Sequence, residues 1–172
     1  DVLEVATKPL VASHSACRHF TPGFQRNLSD TLVKRIAATG GVIQVPFSMY
    51  FLDGKSRDAW RKAEGEMPKQ LGQFGPKPVQ YMKDYAKRTG APIFLSVQEV
   101  ANHIDRIVRL AGIDHAGLGS DFDGVGIALP PDLSDVSMYP HLMAELLHRG
   151  YSEEDVQKIC YKNLIRVWKA NE

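Results

Sequence analysis

The residues with most chemistry to offer lie in GLGSDFDGVG, residues 117–126, where Asp121 and Asp123 stand among four glycines. The run follows a short apolar lead, Ile113 to Leu118. A carboxylate at the end of a buried strand can accept or return a proton. The same composition also suits a plain surface turn, because glycine turns the chain at low steric cost. Asp121 follows the apolar run directly and is the stronger candidate. Alternation along an extended segment sends Asp123 to the opposite side, where with Gly124 it is expected to shape the turn through Asx-type hydrogen bonds. The spacing is not GxGxxG leading into a helix and there is no GK[ST], which argues against a nucleotide loop.

Three further side chains are candidates. His14, in VASHSA, is an imidazole at a predicted strand end, a ligand type suited to a borderline metal such as zinc. It could equally hydrogen-bond to backbone, since no HxH, HxD or HExxH partner lies nearby. Arg26, in FQRNLSD, carries a guanidinium able to clamp a carboxylate with two hydrogen bonds, although a lone loop arginine is usually just solvated. His103, in NHID, sits at the edge of a helix's packed face and reads as a satisfied structural histidine. His19, His115, His141 and His148 show no partner pattern and read as structural or solvated.

The elements that must position these residues follow from periodicity and punctuation. PLVASHS (9–15), GVIQVPFS (41–48) and HAGLGSD (115–121) read as buried strands. LSDTLVKRIAATGG is a predicted helix with Ser29 as N-cap and Gly40 as stop. In SVQEVANHIDRIVRLAG, Ser96 and Glu99 have capping-box spacing, and Val100, Ile104, Ile107, Val108 and Ala111 share one face. SMYPHLMAELLHRG, with Pro140 in its first turn, and SEEDVQKICYKNLIRVWKA, capped by Ser152, finish the chain. Residues 49–91 form a polar excursion with amphipathic pieces near 56–64 and 78–88. Strands alternating with helices imply a parallel α/β sheet. All three strands carry their polar residues (His14, Ser48, Ser120 and Asp121) at the C-terminal end, the edge on which such folds build sites.

Composition narrows the function classes. The chain has 172 residues, 44% apolar and 24% charged, with net charge +1, ordinary values for one globular domain. No basic cluster points to nucleic acid or a membrane surface. No apolar run reaches the roughly 18 residues that span a bilayer. Cys17 and Cys160 form neither a CxxC motif nor a disulfide framework and are expected to be free thiols, so the compartment stays open. DVLEVA reads as the tail of a helix already under way.

Several segments together resemble one family. SHSACR with the following Arg26-Asn27 dipeptide, the GGVIQVPF strand, NHIDRIVRLAG, GLGSDFDG and the ending from LSDVSMYPHL to RVWKA are similar to the renal (membrane) dipeptidases, zinc peptidases of family M19. The resemblance covers nearly the whole chain except residues 49–91. It implies an amidohydrolase-like (β/α)8 barrel with two zinc ions at the C-terminal mouth. It implies that His14 is a zinc ligand and that Arg26 holds the free carboxylate of a dipeptide. Asp121 would contact the substrate's amino end and handle a proton. His103 matches a recurrent histidine that is not a ligand. Clamping both substrate ends would make such an enzyme a dipeptidase, and family members often tolerate a D-residue at the C-terminal position.

The departures from the family are large. Its HxD pair, the glutamate bridging both zincs and a further histidine ligand have no counterpart here; HID at 103–105 lies inside a helix. Three strands also fall short of the eight in a closed barrel. The expectation is therefore the C-terminal portion of such a barrel, a single partial domain over residues 1–172 that is completed by an N-terminal half or by self-association. Two alternatives stay open: a non-catalytic partial barrel serving as scaffold, and another amidohydrolase-type enzyme without the Arg26 clamp.

Overall fold

In the computed structural model residues 2–172 are described. After the short helix α1 (Val2–Val5), strands β1 (Val11–Ala12), β2 (Val42–Pro46) and β3 (Ala116–Ser120) form one parallel sheet in that order. Val11 pairs with Val42, Ile43 with Ala116 and Gln44 with Gly117. Parallel neighbours need crossover connections, and helix α2 (Asp30–Ala38) supplies the first. Its start is fixed by Ser29, whose hydroxyl accepts from the Leu32 amide, as predicted.

The second crossover contains the excursion. It folds as α3 (Met49–Leu52), α4 (Gly54–Glu66), a 3-10 turn (Lys69–Leu71) and α5 (Pro76–Thr89). Met49, Trp60, Ala63, Met82, Tyr85 and Ile93 give it a small core of its own, shared with Ala128 from beyond β3. Helix α6 (Val97–Ala111) then returns the chain to the sheet, opened by the Ser96–Glu99 capping box. Its buried stripe of Val100, Ala101, Ile104 and Ile107 joins Ile43, Val45, Ala116, Val33 and Ile36 in the main core. This packing explains why the apolar residues of α6 recur at helical spacing.

Helix α7 (Tyr139–His148) packs Leu142 and Leu146 into the same core. The expected last helix is interrupted: α8 (Glu153–Gln157) passes through a π-helical turn (Lys158–Lys162) before α9 (Asn163–Asn171). The buried Asn163 side chain donates to the carbonyls of Ile113 and Ala116, both at 2.8 Å. Arg166 donates to the carbonyls of Gly40 and Asp114 at 2.6 and 2.7 Å. These bonds tie α9 to the N-terminal ends of β2 and β3 and leave the opposite, C-terminal ends for a site. Both cysteines are free. No described helix is long and apolar enough to cross a membrane.

The first strand is much shorter than the predicted 9–15. Beyond Ala12 the chain turns at Ser13–His14, although the Ser15 amide still donates to the Gln44 carbonyl at 3.2 Å. The Ala16 amide is then taken by the Asn27 side chain at 2.9 Å. A side-chain acceptor thus replaces the ladder, and the strand ends there.

Candidate functional site

Because the strands are parallel, the residues that follow them gather on one rim. His14 lies in the turn after β1, exposed, with Nδ1 3.1 Å from the Ser13 hydroxyl. It follows the strand instead of ending it. Arg26 lies in the loop that returns beside β1, where its carbonyl accepts from the Ser15 hydroxyl at 3.2 Å. Its guanidinium is exposed and sits 4.9 Å over the ring of Phe51, on α3 just beyond β2. Cation–π stacking of this kind restrains the guanidinium while leaving its N–H groups available.

The next residue, Asn27, had no role in the sequence reading beyond its place in the Arg-Asn pair. It is fully buried. Its Oδ1 accepts from Ala16 N, and its Nδ2 donates to Thr21 Oγ1 at 2.7 Å and to the Phe51 carbonyl at 2.8 Å. One side chain therefore ties the loop bearing Arg26 to the end of β1 and to α3. The only available signal was a buried-type loop held by an amide, which a single sequence cannot distinguish from a solvated asparagine.

Asp121 occupies a more unusual backbone than predicted. Strand β3 stops at Ser120, and both Ser120 (φ 50°) and Asp121 (φ 71°) are left-handed. The expected alternation of Asp121 and Asp123 therefore does not apply, because the chain is not extended there. The turn is also not closed by an Asx-type bond from Asp123. That residue is exposed, and the Gly124 amide donates instead to the Asp121 carbonyl at 3.3 Å. Glycines were expected to turn the chain away from the strand, but a serine and an aspartate make the first bend. Left-handed non-glycine residues are uncommon and cluster at functional sites.

Neighbouring groups hold this bend. The Phe47 amide donates to the Ser120 carbonyl at 2.9 Å, and the Ser120 hydroxyl pairs with the Tyr139 hydroxyl. The rings of Phe47, Phe122 and Tyr139 meet edge to face with centroids 5.6 to 5.8 Å apart. The Asp121 carboxylate lies against Gly124: a Cβ on that glycine would come within 2.1 Å of Asp121 Oδ1. Gly124 thus gives the carboxylate its seat.

His103 is structural, as predicted. Its Nδ1 accepts from the Cys17 amide and its Nε2 donates to the Leu52 carbonyl, both at 2.9 Å. This pairing defines the neutral Nε2–H tautomer. Burial, the largest influence, lowers its pKa from 6.5 to about 4, against the opposing pull of the Leu52 carbonyl. His103 links the loops after β1 and β2 and so supports the rim from beneath.

The rim therefore carries His14 and Arg26 in the connection between β1 and α2 and Asp121 in the loop after β3, with no hydrogen bond or ion pair directly between them among the described residues. No group of three or more His, Cys, Asp or Glu that could hold a metal ion occurs among the described residues. His14 offers one imidazole nitrogen, Nε2, and a complete metal site would need ligands from outside these residues.

Comparison with known proteins gives this rim a context. The chain is 34% identical over its whole length to the dipeptidase ataJ of Aspergillus terreus and 30% identical to an uncharacterised dipeptidase of Schizosaccharomyces pombe, covering 33% of each. It thus spans about a third of the length of these curated relatives. Its fold matches the probable dipeptidase PvdM of Pseudomonas aeruginosa with TM-score 0.74 and 30% identity, over 98% of this chain and 46% of that one. It also matches a metallopeptidase of Rhodobacter sphaeroides, liganded with a phosphinate mimic of the dipeptide L-Ala-D-Ala, with TM-score 0.72 and 25% identity over 99% and 38%. The α/β arrangement is accordingly that of part of a TIM-like hydrolase barrel. The family profile of the membrane dipeptidases matches residues 1–172 throughout, and the chain belongs to that family, peptidase family M19.

Proposed function

We propose that this chain is the C-terminal portion of a zinc-dependent dipeptidase, to which it contributes one metal ligand and two substrate contacts. The observation that carries the reading is the shared rim: His14 and Arg26 follow the C-terminal end of β1, and Asp121 that of β3, in one parallel sheet. That is where (β/α)8 enzymes place their chemistry.

Arg26 would bind the substrate's free carboxylate with two N–H groups, its plane steadied by Phe51. A longer peptide presents no carboxylate at that distance, which would restrict the enzyme to dipeptides. Asp121 would meet the substrate's amino end and carry a proton to the leaving amine. His14 Nε2 would be the zinc ligand. When bound, zinc supplies Lewis-acid polarisation of the scissile carbonyl and a more acidic attacking water. The remaining ligands would come from the N-terminal half of the barrel or from a second copy. Support for such packing comes from exposed apolar side chains: Val11 on β1 shares a surface groove with Trp168, and Val2 and Val5 are exposed on α1. The ligand of the Rhodobacter relative suggests that a D-residue is accepted at the C-terminal position.

The test is hydrolysis of L-Ala-L-Ala and L-Ala-D-Ala by the zinc-loaded complete protein carrying this chain, with Arg26→Ala alongside. The expected result is cleavage by the parent and a loss of about 100-fold in kcat/KM for the variant, in line with removing a charge-assisted bidentate contact. Unchanged kinetics for Arg26→Ala would exclude the clamp and favour another amidohydrolase-type reaction. No cleavage of any dipeptide would leave a non-catalytic barrel.

A further inference from the structure

Between the excursion and the loop after Asp121 lies a cavity of about 270 Å³. Tyr50, Trp60 and Phe74 line it together with two acidic residues, Glu64 and Asp123, and Gly124. No Lys, Arg or His lines it among the described residues. We propose that this cavity is a subsite for a cationic side chain, the alkylammonium of a lysine-type residue at the amino-terminal position of the dipeptide. This deepens the dipeptidase reading and rests on it.

Three observations converge. The first is composition: aromatic rings beside carboxylates attract an organic cation by quadrupole and charge together, and the methylene stem gains apolar contact. The second is the state of Glu64. Tyr50 Oη donates to Glu64 Oε2 at 2.7 Å. Burial, followed by that bond, pushes the phenol well above its usual range. Tyr50 thus stays a neutral donor to Oε2 of Glu64, and the other carboxylate oxygen, Oε1, is left for a ligand. Arg61, the cation that acts on Tyr50, is exposed, and no ion pair engages Glu64 among the described residues.

The third is position. Gly124 lines the cavity, and the Asp121 carboxylate is seated on that same glycine. If Asp121 meets the substrate's amino group, the side chain on the same residue is one loop's thickness from the cavity. The wall is also firmly placed. Gly126 is left-handed (φ 59°), and a Cβ there would come within 2.7 Å of the Gln73 carbonyl, so excursion and loop are in backbone contact. Met49 N donates to the Ala128 carbonyl at 2.9 Å on the other side.

The experiment compares Lys-Ala, norleucyl-Ala and Ala-Ala as substrates of the zinc-loaded complete protein, in parent, Glu64→Gln and Asp123→Asn forms. Both carboxylates are exposed, so each is worth only a few-fold. Lys-Ala is expected to exceed norleucyl-Ala by roughly five- to tenfold in kcat/KM. Each variant should narrow that ratio while leaving Ala-Ala within about twofold. Equal values for Lys-Ala and norleucyl-Ala, or a ratio that neither variant moves, would overturn the proposal. Binding is read separately, by titrating n-butylammonium and following Trp60 emission as the difference between parent and Trp60→Phe. A saturable change that is absent with n-butanol and weakened in Glu64→Gln supports the subsite even if no dipeptide is cleaved, in which case only the dipeptidase reading falls. No change in emission together with no lysine preference refutes the subsite.

Discussion

Replacing Gly124 by alanine tests whether the Asp121 carboxylate acts from the place the fold gives it. The new Cβ would lie 2.1 Å from Asp121 Oδ1, 3.1 Å from its Cγ and 3.6 Å from Oδ2. Cβ contacts below 3.0 Å essentially never occur, so Oδ1 must withdraw by roughly 1 Å or more, a misplacement that can cost about 100-fold in rate. Gly124 is not left-handed, so alanine meets no backbone strain there. The obstacle is only the tip of one short side chain, and the stability change should stay within about 1 kcal/mol. The expected signature is therefore a drop of about 100-fold in kcat/KM for L-Ala-L-Ala with Tm nearly unchanged, measured on the complete, zinc-loaded protein.

A double-mutant cycle sharpens the result. In an Asp121→Asn background the same glycine substitution should cost little more, because the group it displaces has already lost its proton-carrying role. Activity within about threefold of the parent, with Tm preserved, would refute the reasoning: the carboxylate would then be a loop-fixing group and not a participant.

Two other perturbations probe the support beneath the rim. Asn27→Leu removes the acceptor of Ala16 N and the donor to Thr21 and Phe51; leaving such buried groups unpaired costs ~1–3 kcal/mol each, so urea unfolding should show a loss of at least 2 kcal/mol, and an unchanged midpoint would show that water replaces the amide. His103 gives a pH dependence: its pKa is lowered from 6.5 to about 4 in the folded protein, so the unfolded chain takes up its proton first as pH falls. The stability present above pH 6.5 is lost between there and about pH 4, by about 3 kcal/mol from this group, and is flat below; His103→Gln should lack that share of the slope, and identical slopes would exclude it.

What the sequence revealed about this fold was mostly local. Ser29, Ser96 with Glu99, and Ser152 cap their helices as read, because a cap is a contact within four residues. The parallel orientation of the strands followed from alternation. Features decided by distant parts of the chain were not legible. The end of β1 depends on Asn27, eleven residues past Ala16. The π turn at Lys158–Lys162 breaks a run whose composition is uniformly helical. Gly119 falls inside the predicted strand and inside β3, but the need for glycine there was not legible: a Cβ would meet the Ser13 and Gln44 carbonyls at 2.8 Å. That glycine is there for close strand packing. The candidate site divided in the same way. His14, Arg26 and Asp121 could be chosen from residue type and resemblance, but the stacking of Arg26 on Phe51 and the seat of Asp121 on Gly124 are tertiary.

The backbone at Ser120–Asp121 connects these points. Two consecutive left-handed non-glycine residues cost of the order of 1–3 kcal/mol each, and a plain turn could have used the glycines on either side. The bend survives because the surroundings determine it from three directions. Phe47 just beyond β2 holds the Ser120 carbonyl, Tyr139 at the start of α7 holds its hydroxyl, and Phe122 packs against both rings. Turning at Ser120 leaves Gly124 free to receive the Asp121 carboxylate and Gly126 free to meet Gln73 of the excursion. Had glycines made the first bend, neither seat would exist in this form. The strain thus has a use: it sets a carboxylate on the rim and, on the other face of the same loop, one wall of an acidic, aromatic cavity. Helix α7, which begins at Tyr139 and touches no substrate, becomes part of the positioning of Asp121.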